Sequence, residues 1–442
     1  MLKSHLYLFF VGILLTVSPF FAAAEPLLFD LGGDGWTLIN KNGSGQWTID
    51  KPELITVTNE KYDKLPLFNA KGAEYNRGMK LHQIQAQECP TAYAVNPDSI
   101  IVREQPEKNS LQYELAKDYQ IEPKWGCIGR LPESRISGQQ SVYIDYVYGK
   151  MRIDSLVRTQ SGKLILKKGV SHVTTPVQPE LGDGETRLAN IWIKARIEKL
   201  TPELIFPILE TQYPEPPPQS PTTAEKLIPQ TIAKLNAGET VNILAWGDSV
   251  TDAGYLPNPQ TERWQEQFAA RLRTAFPKAD IVLKTEAWGG RTSDSYRNEP
   301  PGSPKNYKEK VLDLKPDLIV SEFVNDSGLH GDALNKRYSK ILEEFKEIGA
   351  EWIILTPHYV RLEWMGLQSE QGIDDDPRHY TKSLREFAAK NNVALADAAK
   401  RYGRLWRQGI PYSTLMMNNI NHPNPDGMKL FADALMELFE TK

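Results

Sequence analysis

Four short segments of this 442-residue chain carry side chains that could cooperate in acyl-transfer chemistry. Gly247-Asp248-Ser249-Val250 closes an apolar run, so Ser249 could serve as a nucleophile while its own backbone N–H helps hold a developing oxyanion. Taken alone, Asp-Ser after a strand is equally a good helix N-cap. Trp288-Gly289-Gly290-Arg291-Thr292 offers glycine N–H groups that a substrate oxygen can approach without a side chain intervening, or else an ordinary glycine turn. In Glu322-Phe323-Val324-Asn325-Asp326 the Asn325 amide could be a further oxyanion donor, or a loop-capping Asn. Finally, Asn419-Ile420-Asn421-His422-Pro423 places a histidine where it could take a serine proton and return it to a leaving alcohol. A lone histidine is usually structural.

The elements around these segments decide whether they can meet. Val241 to Asp248 is a near-continuous apolar run of the kind a buried parallel strand needs, and Asp280–Trp288, Asp317–Val324, Glu351–Pro357 and Val393–Ala398 are further strand candidates. Between them, Leu334, Tyr338, Ile341, Leu342, Phe345 and Ile348 form one apolar stripe at spacings of three and four, which predicts a helix. Strands alternating with helices predict a doubly wound α/β domain with a mainly parallel five-stranded sheet. In such a sheet, ligands bind beyond the carboxyl ends of the strands. The first three segments lie at such ends, and the fourth precedes the last helix.

Order and joint occurrence make the combination far more specific than any one block. The C-terminal half, from about Val241, resembles the GDSL/SGNH hydrolase family, whose name records Ser, Gly, Asn and His in separated blocks; these match Ser249, Gly290, Asn325 and His422. The resemblance implies a flavodoxin-like SGNH fold and a serine esterase. Ser249 would be the nucleophile, His422 the general base, and the Ser249 N–H, Gly290 and Asn325 the oxyanion hole. GGRTSDSY (Gly289 to Tyr296) and EFVND resemble most the branch containing rhamnogalacturonan acetylesterase and related carbohydrate esterases. One departure matters. The family has Asp three residues before the His, whereas this chain has Asn419, which could orient an imidazole but not stabilise its cation by charge. Three readings stay open: a Ser249–His422 dyad helped by Asn419 or a backbone carbonyl, an acid supplied by another loop such as Asp374-Asp375-Asp376, or a weakened or inactive enzyme.

Asp248, Gly289, His358 and Trp364 are the candidate substrate contacts, because the loop from Thr356 to Trp364 should face the same crevice and its aromatics could stack on a sugar. His330, His358 and His379 lack metal-ligand spacing, and the proposed chemistry needs neither metal nor cofactor. The expected function is removal of O-acetyl groups from polysaccharide or oligosaccharide. The alternatives are a lipolytic or broad small-ester hydrolase and a catalytically decayed carbohydrate-binding protein.

The rest of the chain sets the context. Length beyond one core predicts two domains. The segment YPEPPPQSP, Tyr213 to Pro221, denies the chain both helix and sheet ladders, so a Pro-rich linker is expected over residues 213–224, separating an accessory domain (25–212) from the catalytic domain (225–442). The accessory domain reads as an all-β sandwich or jelly roll, from alternations such as Val142, Ile144, Tyr146, Tyr148 and Ile191, Ile193, Ala195, Ile197, with turns at Asn42-Gly43 and Ser161-Gly162. Residues 1–24 read as a signal peptide, with Lys3 and His5, an apolar run from Leu6 to Val17 and then Ala22-Ala23-Ala24. A secreted protein, periplasmic or extracellular and without stable membrane insertion, is therefore expected. Cys89 and Cys127 suit either a disulfide or two buried thiols. A net charge of -4 and no long basic run argue against nucleic acid as a partner.

Overall fold

A computed structural model describes residues 29–41 and 45–439. The signal peptide expected over residues 1–24 and the Asn42-Gly43 turn fall outside the described residues.

The C-terminal domain is built on five parallel strands: Thr240–Gly247, Asp280–Ala287, Leu318–Glu322, Glu351–Leu355 and Ala394–Ala396. They lie in the spatial order second, first, third, fourth, fifth. Each is therefore the expected strand to within a few residues. The apolar runs are continuous because both sheet faces are covered, and successive side chains point to opposite faces. Val241, Ile243 and Ala245 enter one core together with Trp264, Phe268 and Phe431. Leu244 and Trp246 enter the other, against Leu334, Tyr338, Ile341 and Phe345 of the helix Gly331–Glu347. Those four are the buried members of the predicted stripe; Leu342 and Ile348 flank them, partly buried.

The N-terminal domain is all-β apart from short 3-10 turns. A three-stranded sheet centred on Val142–Gly149 and a four-stranded sheet containing Arg152–Arg158 and Thr186–Ile193 share one core. Val142, Ile144, Tyr146 and Tyr148 all point into it, as their alternation predicts. The second alternation is cut short: its strand ends at Ile193, beyond which Ala195 is buried and Ile197 only partly so. Cys89 and Cys127 are free thiols, buried beside Trp125 and Ile420.

Residues 213–221 carry no helix or strand, and the next helix begins at Thr223, capped by Thr222 with Glu225 closing a capping box. The two domains are stitched together on either side of this segment. Asn190 Nδ2 donates to the Gly409 carbonyl at 2.7 Å, and Gln371 Nε2 donates to the carbonyls of Glu203 (3.0 Å) and Ile205 (2.9 Å). Trp406 of the C-terminal domain packs against the N-terminal core.

Candidate active site

The first strand stops at Gly247 because the chain must turn sharply there. A Cβ at this position would come within 2.4 Å of the Glu322 carbonyl and 2.1 Å of Thr251 Oγ1. Asp248 is fully buried and caps the short helix Ser249–Asp252 by accepting the Val250 N–H at 3.0 Å. Its other oxygen accepts both the backbone N–H and the side-chain amide of Asn325, each at 2.9 Å. One carboxyl thus fixes the loops after the first and third strands to each other. The amide spends one N–H on Asp248, so its second remains to meet a substrate oxygen. The loop after the second strand closes on the same turn: a Cβ on Gly289 would sit 3.6 Å from the Ser249 Cβ. Gly290 follows in the left-handed region, φ 71°, with open space where its side chain would be.

His422 Nε2 lies 3.2 Å from Ser249 Oγ, and its Nδ1 lies 2.8 Å from Gln87 Oε1. With the amide oxygen accepting, Nδ1 carries the proton and Nε2 presents its lone pair to the Ser249 hydroxyl, the tautomer a general base requires. Tyr255 lies flat on the imidazole, 4.3 Å between ring centres and 3° between planes. Burial pushes the His422 imidazole below its usual titration range, partly offset by the Glu88 carboxylate, whose Oε1 is 3.4 Å from Nδ1. The ring is therefore neutral, and able to accept a proton, at pH 7.

Several expectations need correction. Asn419 does not orient the imidazole: His422 Nδ1 is met by Gln87 Oε1 at 2.8 Å, and Asn419 lines a cleft between the domains with Trp125 and Trp192. Asp374, Asp375 and Asp376 do not substitute, being paired with Arg407, Arg385 and Arg378 respectively. Asp248 and His358 are both without solvent exposure, so neither can touch substrate; the first positions Asn325 and the second packs near Tyr402 and Phe431. Trp364 does face outward, 50% exposed, beside a cavity of about 290 Å³ that Asn325, Arg378 and Asn421 also line. His330 and His379 approach each other, rings 5.6 Å apart, away from His358. Among the described residues no group of three His, Cys, Asp or Glu is placed to hold a metal ion, and no helix is long and apolar enough to cross a membrane.

Sequence reasoning missed Gln87, Glu88, Asn418 and Tyr255. Asn418 accepts the backbone N–H groups of Ile420, Asn421 and His422 on one oxygen, and so shapes the whole histidine loop. Its place in an Asn-rich turn was the available signal. Nothing local marks Gln87, which is 335 residues from His422 in the chain.

A cluster of buried carboxyls lies under the site. Glu322 is completely buried with neither oxygen in a hydrogen bond of good geometry, and burial, then the neighbouring Asp248, holds it protonated well above the ordinary carboxyl range. A raised native value stabilises fully below the unfolded value of 4.5 and loses that stabilisation as pH climbs above it. Glu322→Gln is therefore expected to melt with the wild type at pH 4 and several degrees above it at pH 8, each kcal/mol relieved raising Tm by about 2–4 °C. Thermal denaturation at the two pH values checks this; equal shifts at both would show that Glu322 is not held neutral.

Residues 245–430 match the profile of the GDSL-like Lipase/Acylhydrolase family. A two-domain esterase (CEX) active on acetylated mannans is similar in structure at 17% identity and TM-score 0.39; the match covers 48% of this chain and about half, 52%, of that one. An acetyl xylan esterase from Geobacillus stearothermophilus matches at 19% identity and TM-score 0.36 over 46% of this chain and 96% of its own. The psychrotrophic esterase EstA from Pseudoalteromonas sp. matches at 21% identity and TM-score 0.32 over 45% and 96%. No curated protein sequence matches the chain.

Proposed function

We propose, from the match of residues 245–430 to the GDSL-like Lipase/Acylhydrolase family, that the chain is a carboxylic ester hydrolase in which Ser249 and His422 remove O-acetyl groups from a polysaccharide or its oligosaccharides outside the cell. The observation that carries the chemistry is the 3.2 Å contact between Ser249 Oγ and His422 Nε2 at the carboxyl end of the sheet. Ser249 Oγ attacks the ester carbonyl carbon as its proton passes to His422 Nε2. The carbonyl oxygen becomes an oxyanion received by the Asn325 amide with the Gly290 and Ser249 N–H groups. The tetrahedral intermediate collapses, His422 returns the proton to the departing sugar hydroxyl, and an acetyl-enzyme remains. Water, deprotonated by the same ring, then releases acetate and restores Ser249.

Support for a short acyl group comes from the small cavity of about 290 Å³ beside Asn325, which Val324, Val360 and Trp364 line together with Arg378 and Asn421. Support for a sugar comes from the half-exposed Trp364 and from the interdomain cleft beyond it, about 240 Å³, lined by Tyr93, Trp125 and Trp192. Export is the reading of the N-terminal charge, apolar run and alanines. Catalysis needs neutral His422, so kcat/KM is expected to rise with pH along one acid limb whose midpoint lies below 6.5, the ring's unshifted value. A midpoint above 6.5 contradicts this.

The test is acetate release from acetylated plant and algal polysaccharides and their oligosaccharides, by the wild type and by Ser249→Ala. Release that vanishes in the variant supports the proposal. Faster turnover of long-chain than of acetyl esters would make the enzyme lipolytic, and no turnover of any ester would leave only a binding role.

A further inference from the structure

We infer that the hairpin tip Gln87-Glu88 of the N-terminal domain is the missing third arm of the catalytic apparatus, with Gln87 orienting the His422 ring and Glu88 stabilising its charged form. The inference rests on the Ser249–His422 esterase reading and adds to it a positioning pair from the other domain.

The strands Gln85–Ala86 and Cys89–Pro90 pair antiparallel, leaving Gln87 and Glu88 as a two-residue loop. Gln87 occupies the left-handed region, φ 57°, a conformation such loops require and that a side chain other than Gly, Asn or Asp adopts at a cost. The base of the hairpin is held by the buried Cys89, which packs with Trp125, Cys127 and, from the histidine loop itself, Ile420. The tip is thereby pressed against the catalytic domain. Gln87 Oε1 takes the Nδ1 proton bond at 2.8 Å, and Glu88 Oε1 stands 3.4 Å from the same nitrogen. Glu88 is held there by Asn418, whose Nδ2 donates to that oxygen at 2.9 Å while its Oδ1 gathers the histidine-loop N–H groups. One buried side chain thus ties the acid to the base.

The division of labour follows from the chemistry. A neutral amide fixes ring and tautomer but gives little to an imidazolium, whereas a carboxylate at this distance favours the cation formed when the Ser249 proton reaches Nε2. The proton travels from Ser249 to His422 to the leaving hydroxyl and is not handed on to Glu88. Asn419, at the position where the family carries Asp, is then free to face the interdomain cleft. The other titratable groups facing the ring are Tyr255, stacked on it, and buried His358, and neither supplies a negative charge at neutral pH. It follows that the catalytic domain is complete only with the N-terminal domain docked.

The test uses the full chain with Glu88→Gln, Glu88→Asp, Gln87→Leu and Gln87→Glu, measuring kcat and KM on a simple aryl acetate across pH. His422 is titrated in parallel by NMR with ring-labelled histidine. Glu88 is half exposed, so its charge is partly screened and about a tenfold fall in kcat is expected for Glu88→Gln, with KM little changed. The His422 titration and the acid limb should move together to lower pH, and Glu88→Asp should recover part of the loss. Gln87→Leu should cost about 10- to 100-fold, and Gln87→Glu should retain activity. An active wild type, dead as Ser249→Ala but indifferent in rate and pH profile to Glu88→Gln and Gln87→Leu, overturns the inference and leaves the esterase reading intact. If no ester is turned over by the wild type, the esterase reading fails, and the NMR titration still decides whether Glu88 acts on His422: an unmoved titration overturns the inference.

Discussion

Ser249→Ala and His422→Ala are each expected to lower kcat for ester hydrolysis by about 10⁶-fold, and the double variant by no more than either alone. The reason is that the two side chains act as one unit: with Ser249 Oγ 3.2 Å from His422 Nε2, the hydroxyl is a nucleophile only while the imidazole can take its proton. Losing either member removes the covalent route. What survives is the residual rate that substrate binding and the oxyanion donors give to direct attack by water, about 10³- to 10⁴-fold above the uncatalysed reaction. Steady-state kinetics on a soluble acetyl ester measure this, with circular dichroism to show that each variant folds. Multiplicative losses in the double variant would mean that the two residues act in separate steps.

Asn325→Ala is expected to reduce kcat by about 10²- to 10³-fold, equivalent to roughly 3–4 kcal/mol, with a much smaller change in KM. The amide N–H not used by Asp248 meets full negative charge only in the tetrahedral intermediate, so its loss weighs on the transition state more than on the bound ester. The fold should tolerate the change, since Asp248 keeps the backbone N–H groups of Val250 and Asn325. A raised KM with unaltered kcat would instead make Asn325 a ground-state contact.

Much of the catalytic domain was legible because its information is local. Leu244 and Trp246 go to one face of the sheet and Ile243 and Ala245 to the other, so burial on both sides writes itself as an unbroken apolar run ending at the turn that carries Ser249. Family resemblance then supplied the order in which Gly290, Asn325 and His422 should follow. The depth of each loop residue was not legible. His358 lies three residues past the apolar strand Glu351–Leu355, as a substrate contact would, yet it faces inward against Tyr402 and Phe431. Asp248 was likewise read as a contact when its burial and three hydrogen bonds make it the clamp on Asn325. The partners of His422 Nδ1 were beyond reach for another reason: Gln87 and Glu88 sit on a hairpin of the other domain, and no periodicity or motif encodes a contact that arises only when two domains dock.

That docking also gives the accessory domain a direct part in the chemistry. It contributes the Gln87-Glu88 tip behind the histidine and, with Tyr93, Trp125 and Trp192, one wall of the cleft next to the site. A glycan lying along that wall would bring its ester groups toward Ser249.

The most direct test of the central claim is covalent capture of the nucleophile. The full chain would be treated with a fluorophosphonate at pH 8 and the adduct located by peptide mass spectrometry. A single adduct on Ser249, formed at a rate that collapses in His422→Ala, is the predicted result. Modification of another residue, or of Ser249 at the same rate without His422, would contradict it.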